Sequence, residues 1–107
     1  MTKDRVVVFV EHRAKPGQRD RLMAVWNRHM PAAIAANPDH LAYLYTADTS
    51  DQDNVRAVQV YRNADAATAF LSTDAYRRYA AESEPLLAHP PAVHRSELQW
   101  AKLGLDD

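Results

Sequence analysis

The first hydrophobic stretch of the chain shows no alternation between apolar and polar positions. Residues 5–11 run Arg-Val-Val-Val-Phe-Val-Glu, and β-branched and aromatic residues of this kind favour an extended strand. Because neighbouring side chains of a strand point to opposite faces, this strand carries apolar groups on both faces. We therefore expect both of its faces to be buried.

The rest of the chain alternates between helical and extended patterns. Apolar residues at three- and four-residue spacing predict amphipathic helices, whereas alternating and β-branched residues predict strands. In chain order, we expect a strand at 5–11, a helix from 18 that kinks or restarts at Pro31, strands at 40–47 and 55–62, a short helix at 63–70, a second from 72 or 73 that stops by 85, and a last strand near 93–100. This is the βαββαβ order of a ferredoxin-like α+β fold, with helices on one face of a four-stranded antiparallel sheet. We expect one domain over residues 1–107.

The sheet face opposite the helices is predicted to be apolar. We expect Val6, Val8 and Val10 of the first strand to lie on it, together with Val58 and Val60 of the third. Burying one such side chain stabilises a protein by about 1.5–3 kcal/mol, so a second sheet should cover this face. A two-fold symmetric homodimer is the simplest way to supply that sheet.

Composition narrows the classes of partner. The 13 basic and 14 acidic residues give a formal charge of −1, without a basic patch interleaved with aromatics, so we expect no nucleic-acid partner. The longest apolar run, residues 6–10, is far shorter than the roughly 20 residues that span a bilayer, so we expect no membrane association. The chain has no cysteine and its N-terminus shows no secretory signal pattern, which together favour a cytoplasmic protein.

Histidines and glycines are too scattered for the common cofactor motifs. His12, His40, His89 and His94 fall on different predicted elements, without the short spacing that groups metal ligands. With two glycines, the chain has no Gly-rich phosphate loop for a flavin or a nicotinamide. We therefore expect neither a metal nor a cofactor.

Several short segments together resemble the antibiotic biosynthesis monooxygenase family of the dimeric α+β barrel superfamily. These segments are Lys15-Pro16-Gly17, residues 37–41 (Asn-Pro-Asp-His-Leu), 58–63 (Val-Gln-Val-Tyr-Arg-Asn), 72–76 (Ser-Thr-Asp-Ala-Tyr), 85–87 (Pro-Leu-Leu) and 90–93 (Pro-Pro-Ala-Val). The resemblance implies a dimeric α+β barrel. It also implies an activity such as cofactor-free oxygenation of quinols or polyketide-like aromatics, or haem degradation.

The positions that carry these activities in the family differ in this chain. Haem-degrading relatives use an Asn, a Trp and a helical His where this chain has Glu11, Tyr61 and the neighbourhood of Ala75, so the resemblance disfavours haem degradation. Polyketide-oxidising relatives use an Asn, a Trp and a Tyr where this chain has Ala57, Tyr61 and Ala67. An aromatic ring at Tyr61 is the feature that is retained.

The predicted site lies between the sheet and the helices. If Val8 and Val10 face a partner, alternation directs Phe9 and Glu11 toward the helices. An apolar pocket with a few polar groups is typical of small-molecule sites, although aromatics at helical spacing are also typical of a filled core. The residues predicted to bind an aromatic substrate are Phe9, Trp26, Gln59, Phe70, Tyr76 and Tyr79.

Reaction of a phenol or enol with oxygen requires a base, hydrogen-bond donors and a dry cavity. His29 or Glu11 is the predicted base, and Tyr61 and Gln59 are predicted to hold the oxyanion, which makes His29, Glu11 and Tyr61 the candidate catalytic residues. The leading hypothesis is a cofactor-independent monooxygenase acting on an aromatic, quinol or polyketide-like small molecule. Two alternatives stay open: an isomerase or decarboxylase-like enzyme acting on a small lactone, and a non-catalytic ligand-binding barrel.

Overall fold

A computed structural model describes residues 4–102 of the chain. Its elements are β1 (Val6–Arg13), α1 (Arg19–Ala36), β2 (His40–Ala47), β3 (Asn54–Tyr61), α2 (Ala64–Phe70), α3 (Asp74–Ser83), a short 3₁₀ turn (Glu84–Leu86) and β4 (Ala92–Glu97). The four strands form one antiparallel sheet in the order β2-β3-β1-β4. The predicted ferredoxin-like α+β fold is confirmed, although the last strand ends three residues before the predicted position 100.

The central strand β1 turns Val6, Val8 and Val10 toward the helices, which is opposite to the predicted orientation. Val8 belongs to the core cluster that includes Val25 and Met30 of α1, and Val6 and Val10 pack against the same cluster. The prediction that Val6, Val8 and Val10 face a partner sheet is therefore wrong. Because five consecutive apolar residues satisfy either orientation of the strand, alternation alone cannot select one.

Phe9 and Glu11 consequently lie on the open face of the sheet, away from the helices. Phe9 is 44% exposed, and Glu11 is in register with Arg56 of β3. The prediction that these two side chains point toward the helices is wrong for the same reason. On β3 the predicted orientation agrees with the structure, since Gln59 and Tyr61 are buried on the helix side.

The two later helices begin at polar side-chain caps, and the first helix continues past the position where a kink or restart was predicted. The side chain of Asn63 accepts a hydrogen bond from the backbone N–H of Ala66 at 2.8 Å, and Thr73 Oγ1 accepts one from Tyr76 N–H at 3.3 Å. α1 runs through Pro31 as one element and does not restart there, because proline removes only one backbone donor from the helix. Within residues 4–102, no helix is long and apolar enough to cross a bilayer.

Candidate functional site

A cavity of about 200 Å³ lies between the sheet and the helices. Val8 and Val10 of β1 and Ala57 of β3 form part of its floor. Aromatic side chains from β2, β3 and the three helices form most of its wall: Trp26, Tyr43, Tyr45, Tyr61, Phe70, Tyr76 and Tyr79. The short side chains of Ala57 and Ala67 leave open the space that these rings surround.

One wall of the cavity is flat because two aromatic rings stack there. The rings of Trp26 and Tyr45 lie 4.0 Å apart between centroids, with an interplanar angle of 4°. Trp26 Nε1 donates to the hydroxyl oxygen of Tyr43 at 3.4 Å, which links α1 to β2 beside the stack. A planar aromatic ligand would be able to stack on this wall in the same manner.

The tyrosine hydroxyls around the cavity remain protonated at neutral pH. Burial raises the pKa of Tyr43 to about 12, and it also raises the pKa values of Tyr45, Tyr61 and Tyr79. Tyr61 donates its hydroxyl proton to Gln59 Oε1 at 2.5 Å. These tyrosines are therefore hydrogen-bond donors rather than bases.

A buried histidine at the end of β1 provides the cavity with a basic group. His12 lies on the same face of β1 as Val8 and Val10 and is 8% exposed. Its Nε2 is 3.4 Å from the hydroxyl of Tyr79, and its enclosed Nδ1 has no hydrogen-bond partner among the described residues. Burial lowers the pKa of His12 from 6.5 to about 4, so the imidazole is neutral at pH 7.

His12 also borders a second cavity, of about 510 Å³. This cavity lies beside α3 and the segment that leads to β4, and it includes Leu87 and Pro90. Its wall shares Tyr76, Tyr79 and Pro91 with the aromatic cavity. His12 therefore stands where the two cavities adjoin.

The low pKa of His12 predicts a loss of stability in mild acid. Between pH 6.5 and about 4, the unfolded chain binds a proton at this histidine and the folded chain does not. The free energy of unfolding should therefore fall by about 3 kcal/mol as the pH drops through this window, because one bound proton changes it by about 1.36 kcal/mol per pH unit. Urea denaturation at fixed protein concentration, from pH 4 to pH 7, measures this change.

His12→Gln is the variant that should flatten this pH dependence, because glutamine does not titrate. His89→Gln removes an exposed histidine and should leave the pH dependence as in the wild type. An equal slope in the wild type and in His12→Gln would contradict the assignment of the slope to His12.

The structure brings six of the sequence-predicted site residues to the wall of the aromatic cavity. These are Trp26, Gln59, Tyr61, Phe70, Tyr76 and Tyr79. Phe9, Glu11 and His29 are not among the residues that line it. Both predicted bases are thus separated from the predicted binding residues.

Glu11 instead takes part in an ion pair, and His29 in a hydrogen bond to a carboxylate. The Glu11 carboxylate accepts from Asn54 Nδ2 at 3.1 Å and from Arg56 Nε at 2.8 Å, and these hydrogen bonds hold its pKa below the ordinary value. A general base would need the opposite change in pKa. His29 Nε2 lies 2.8 Å from Glu82 Oε2 and links α1 to α3 outside the cavity. We therefore include neither residue in the candidate site.

The residues of the cavity wall that sequence reasoning misses include His12, Tyr43 and Tyr45. From the sequence, His12 is weighed only as a metal ligand. His12 stands two positions after Val10 on β1, however, and therefore points to the same face of the sheet. Tyr43 and Tyr45 alternate on β2, which is a signal that both point to one face. The orientation of β1 is needed to show that this face is the one His12 shares.

The ionisable side chains of the molecule are otherwise dispersed. Within residues 4–102, no group of three or more His, Asp or Glu side chains is placed to hold a metal ion. The titratable groups that line the aromatic cavity are His12, Arg95 and five tyrosines.

Comparison with known proteins finds one family and many similar structures. A family model described as antibiotic biosynthesis monooxygenase matches residues 5–82. The structure of a candidate antibiotic biosynthesis monooxygenase from Chloroflexus aurantiacus J-10-fl is 25% identical, with a TM-score of 0.78 and coverage of 94% of this chain and 97% of that one. Among curated proteins, none matches the chain significantly.

Two further structures share the fold at lower identity. A candidate antibiotic biosynthesis monooxygenase from Caulobacter crescentus CB15 is 17% identical, with a TM-score of 0.84 and coverage of 92% of this chain and 93% of that one. A protein from Mycobacterium tuberculosis is 22% identical, with a TM-score of 0.80 and coverage of 92% of this chain and 99% of that one. Identity at this level shows a common fold and does not assign a substrate.

Proposed function

The chain belongs to the antibiotic biosynthesis monooxygenase family, and from that premise we propose that it is a cofactor-independent monooxygenase of a small phenol or quinol. The observation that carries this proposal is the aromatic cavity with the buried, neutral His12 in its wall. Mostly apolar walls with a few convergent polar groups are characteristic of small-molecule sites. A neutral imidazole in such a site is able to accept a proton at pH 7.

The volume of the cavity selects small substrates. A cavity of roughly 150 Å³ lined by apolar side chains is large enough to bind benzene. The cavity here measures about 200 Å³, so it accommodates one aromatic ring or two fused rings. We therefore favour a substituted phenol or naphthol over a large polycyclic polyketide.

His12 is the proposed base. Its Nδ1 is fully enclosed, so we assign proton uptake to Nε2, the nitrogen next to the Tyr79 hydroxyl. The contact between Nε2 and this hydroxyl is long at 3.4 Å, and a substrate hydroxyl that enters the cavity would compete for it. A phenolate formed beside His12 raises the pKa of the imidazole, because opposite charges favour each other's ionised form.

The proposed reaction is oxygenation of the ring carbon para to the hydroxyl. After His12 removes the hydroxyl proton, the phenolate transfers one electron to O₂, and the two radicals combine at the para carbon as a hydroperoxide. Loss of water then gives the quinone, so one naphthol and one O₂ yield one naphthoquinone and one H₂O. The substrate is oxidised while O₂ is reduced, and no further reductant is required.

Two hydrogen-bond donors of the wall support a site that stabilises the charge formed on the substrate. The hydroxyl of Tyr79 lies beside His12, and the amide of Gln59 lines the cavity with its Oε1 engaged by Tyr61. We propose that the Tyr79 hydroxyl and the Gln59 N–H₂ donate to substrate oxygens. Donors that are already oriented in a dry cavity stabilise an oxyanion without reorganisation.

The experiment that tests this function is incubation of the purified protein with 1-naphthol in air and under anaerobic conditions. We expect 1,4-naphthoquinone in air, with one O₂ consumed per quinone and one ¹⁸O atom incorporated from ¹⁸O₂. No quinone should form without oxygen. Binding of naphthols and quinols without O₂ consumption would overturn the monooxygenase assignment and favour a ligand-binding barrel, and an anaerobic product would favour an isomerase.

We also propose that the open face of the sheet forms a two-fold symmetric dimer. Phe9 and Leu44 are 44% and 47% exposed on this face, Val58 lies between them on β3, and Val60 follows on the same face. Side chains of this size stabilise by about 1.5–3 kcal/mol each when they are buried. These exposed apolar side chains support a covering second sheet, which would lie over Phe9 rather than Val8.

A further inference from the structure

We propose that Arg95 binds an anionic substituent of the substrate, so that the cavity is selective for an aromatic acid. This inference rests on the proposed function, since it assumes that the cavity holds an aromatic ligand. Among the described residues that line the cavity, Arg95 is the one with a permanent positive charge. A guanidinium in a mostly aromatic wall is well suited to hold a carboxylate.

The position of Arg95 is set by β4 and by α2. On β4 it pairs with Val8 of β1, and it therefore lies at the same sheet face as the cavity floor. Its Nη1 donates to Thr68 Oγ1 of α2 at 3.1 Å. This hydrogen bond holds the guanidinium between β4 and α2 at the edge of the cavity.

Arg95 keeps most of its hydrogen-bonding capacity for a ligand. A guanidinium has five N–H donors, and the contact with Thr68 uses one of them. Asp4, Asp65 and Glu97 share a shallow groove with Arg95, but within residues 4–102 no carboxylate lies within ion-pair distance of it. Its charge is therefore not matched by a direct carboxylate partner in the described part of the chain.

Arg95 and His12 lie toward opposite ends of the cavity. Arg95 pairs with Val8, and His12 is four positions further along the same strand. At about 3.3 Å per residue, the two backbone positions are separated by about 13 Å. An elongated ligand would place an acid group near Arg95 and its reacting hydroxyl near His12.

The size of the cavity and this polarity together specify a class of ligand. A two-ring hydroxy acid fits a cavity of about 200 Å³ and carries its two polar groups at opposite ends when they are attached to different rings. We take 5-hydroxy-2-naphthoate as the probe for this class, because the carbon para to its hydroxyl carries a hydrogen, as the proposed reaction requires. 1-Naphthol is the matched probe, because it differs only in lacking the carboxylate.

The test compares the dissociation constants of these two probes by calorimetry at low ionic strength. Because Arg95 is exposed, we expect the wild type to bind 5-hydroxy-2-naphthoate about 2–5-fold more tightly than 1-naphthol, as a solvent-screened ion pair provides. Arg95→Gln should lose this preference while its affinity for 1-naphthol stays unchanged, and Arg95→Lys should keep part of it. Arg77→Gln removes an exposed charge on α3 and should bind like the wild type.

The outcomes separate this inference from the proposed function. Equal affinity of the wild type for the two probes, or a preference that survives in Arg95→Gln, overturns the role of Arg95 and leaves the aromatic cavity in place. Failure of both probes to bind overturns the proposed function and, with it, this inference. Thermal denaturation of Arg95→Gln establishes that any loss of the preference occurs in a folded protein.

Discussion

Replacing His12 with glutamine is expected to lower kcat/KM for naphthol oxygenation by about 10²–10⁴-fold, the usual contribution of a positioned general base. Glutamine fills a similar volume and keeps polar atoms in the wall, but it cannot take up the proton. The effect should fall mainly on kcat, because the aromatic wall that binds the ring is unchanged. Initial rates of quinone formation, measured against naphthol concentration, provide both constants.

The pH profile distinguishes a base from a merely structural histidine. In the free protein the pKa of His12 is lowered to about 4, so kcat/KM should be constant at higher pH and fall as the pH drops through about 4. This acid limb should be absent from the residual activity of His12→Gln. His94→Gln, on the opposite face of the sheet, should retain the wild-type profile. Near-normal kcat/KM in a folded His12→Gln variant would remove His12 from the mechanism.

Replacing Phe9 with lysine is expected to weaken the proposed dimer by about 10–100-fold. Phe9 is 44% exposed on the open face, and a two-fold interface contains it twice. Because more than half of Phe9 is already buried in the monomer, burying the rest contributes about 0.7–1.4 kcal/mol per copy. Its loss therefore raises the dissociation constant by about three- to tenfold per copy. Two like charges brought together at the interface add to the effect.

Sedimentation velocity over a range of protein concentrations measures this change. The wild type should sediment as a dimer at concentrations where Phe9→Lys sediments as a monomer. Ala24→Lys, which places the same charge on an exposed position of α1, should remain dimeric. A monomeric wild type, or a Phe9→Lys variant with unchanged association, would contradict the assignment of the interface to the open face.

Local sequence patterns are sufficient to predict the helices and strands of this fold. The caps at Asn63 and Thr73 and the β-branched residues of the strands act over a few neighbouring residues, and the predicted elements agree closely with those of the structure. The orientation of β3 is also predictable from the local pattern. The polar Arg56 interrupts its apolar residues and thereby indicates which positions of the strand point to the open face. Five aromatic residues of the cavity wall are predictable because aromatic rings at regular spacing point to the core, and Gln59 is predictable because it shares the face of Tyr61 on β3.

The candidate base is not predictable in this way. His29 and Glu11 are titratable residues near the predicted pocket, but His29 pairs with Glu82 and Glu11 with Arg56. These contacts join residues that are far apart in the chain. Which titratable group is enclosed in the cavity therefore depends on the packing of distant elements, and no local pattern carries that information.

The sequence by itself determined the order of the strands and helices, the ferredoxin-like fold and the excess of apolar side chains on β1, because these depend on local conformational preference and hydrophobicity. Only the tertiary structure decided which face of β1 meets the helices. Antiparallel pairing with β3 sets Val8 beside Gln59 and thereby turns Val10 and His12 inward and Phe9 outward. A strand that is apolar on both faces has no preferred side until its neighbours pair with it, and that pairing decides both the proposed catalytic group and the proposed dimer contact.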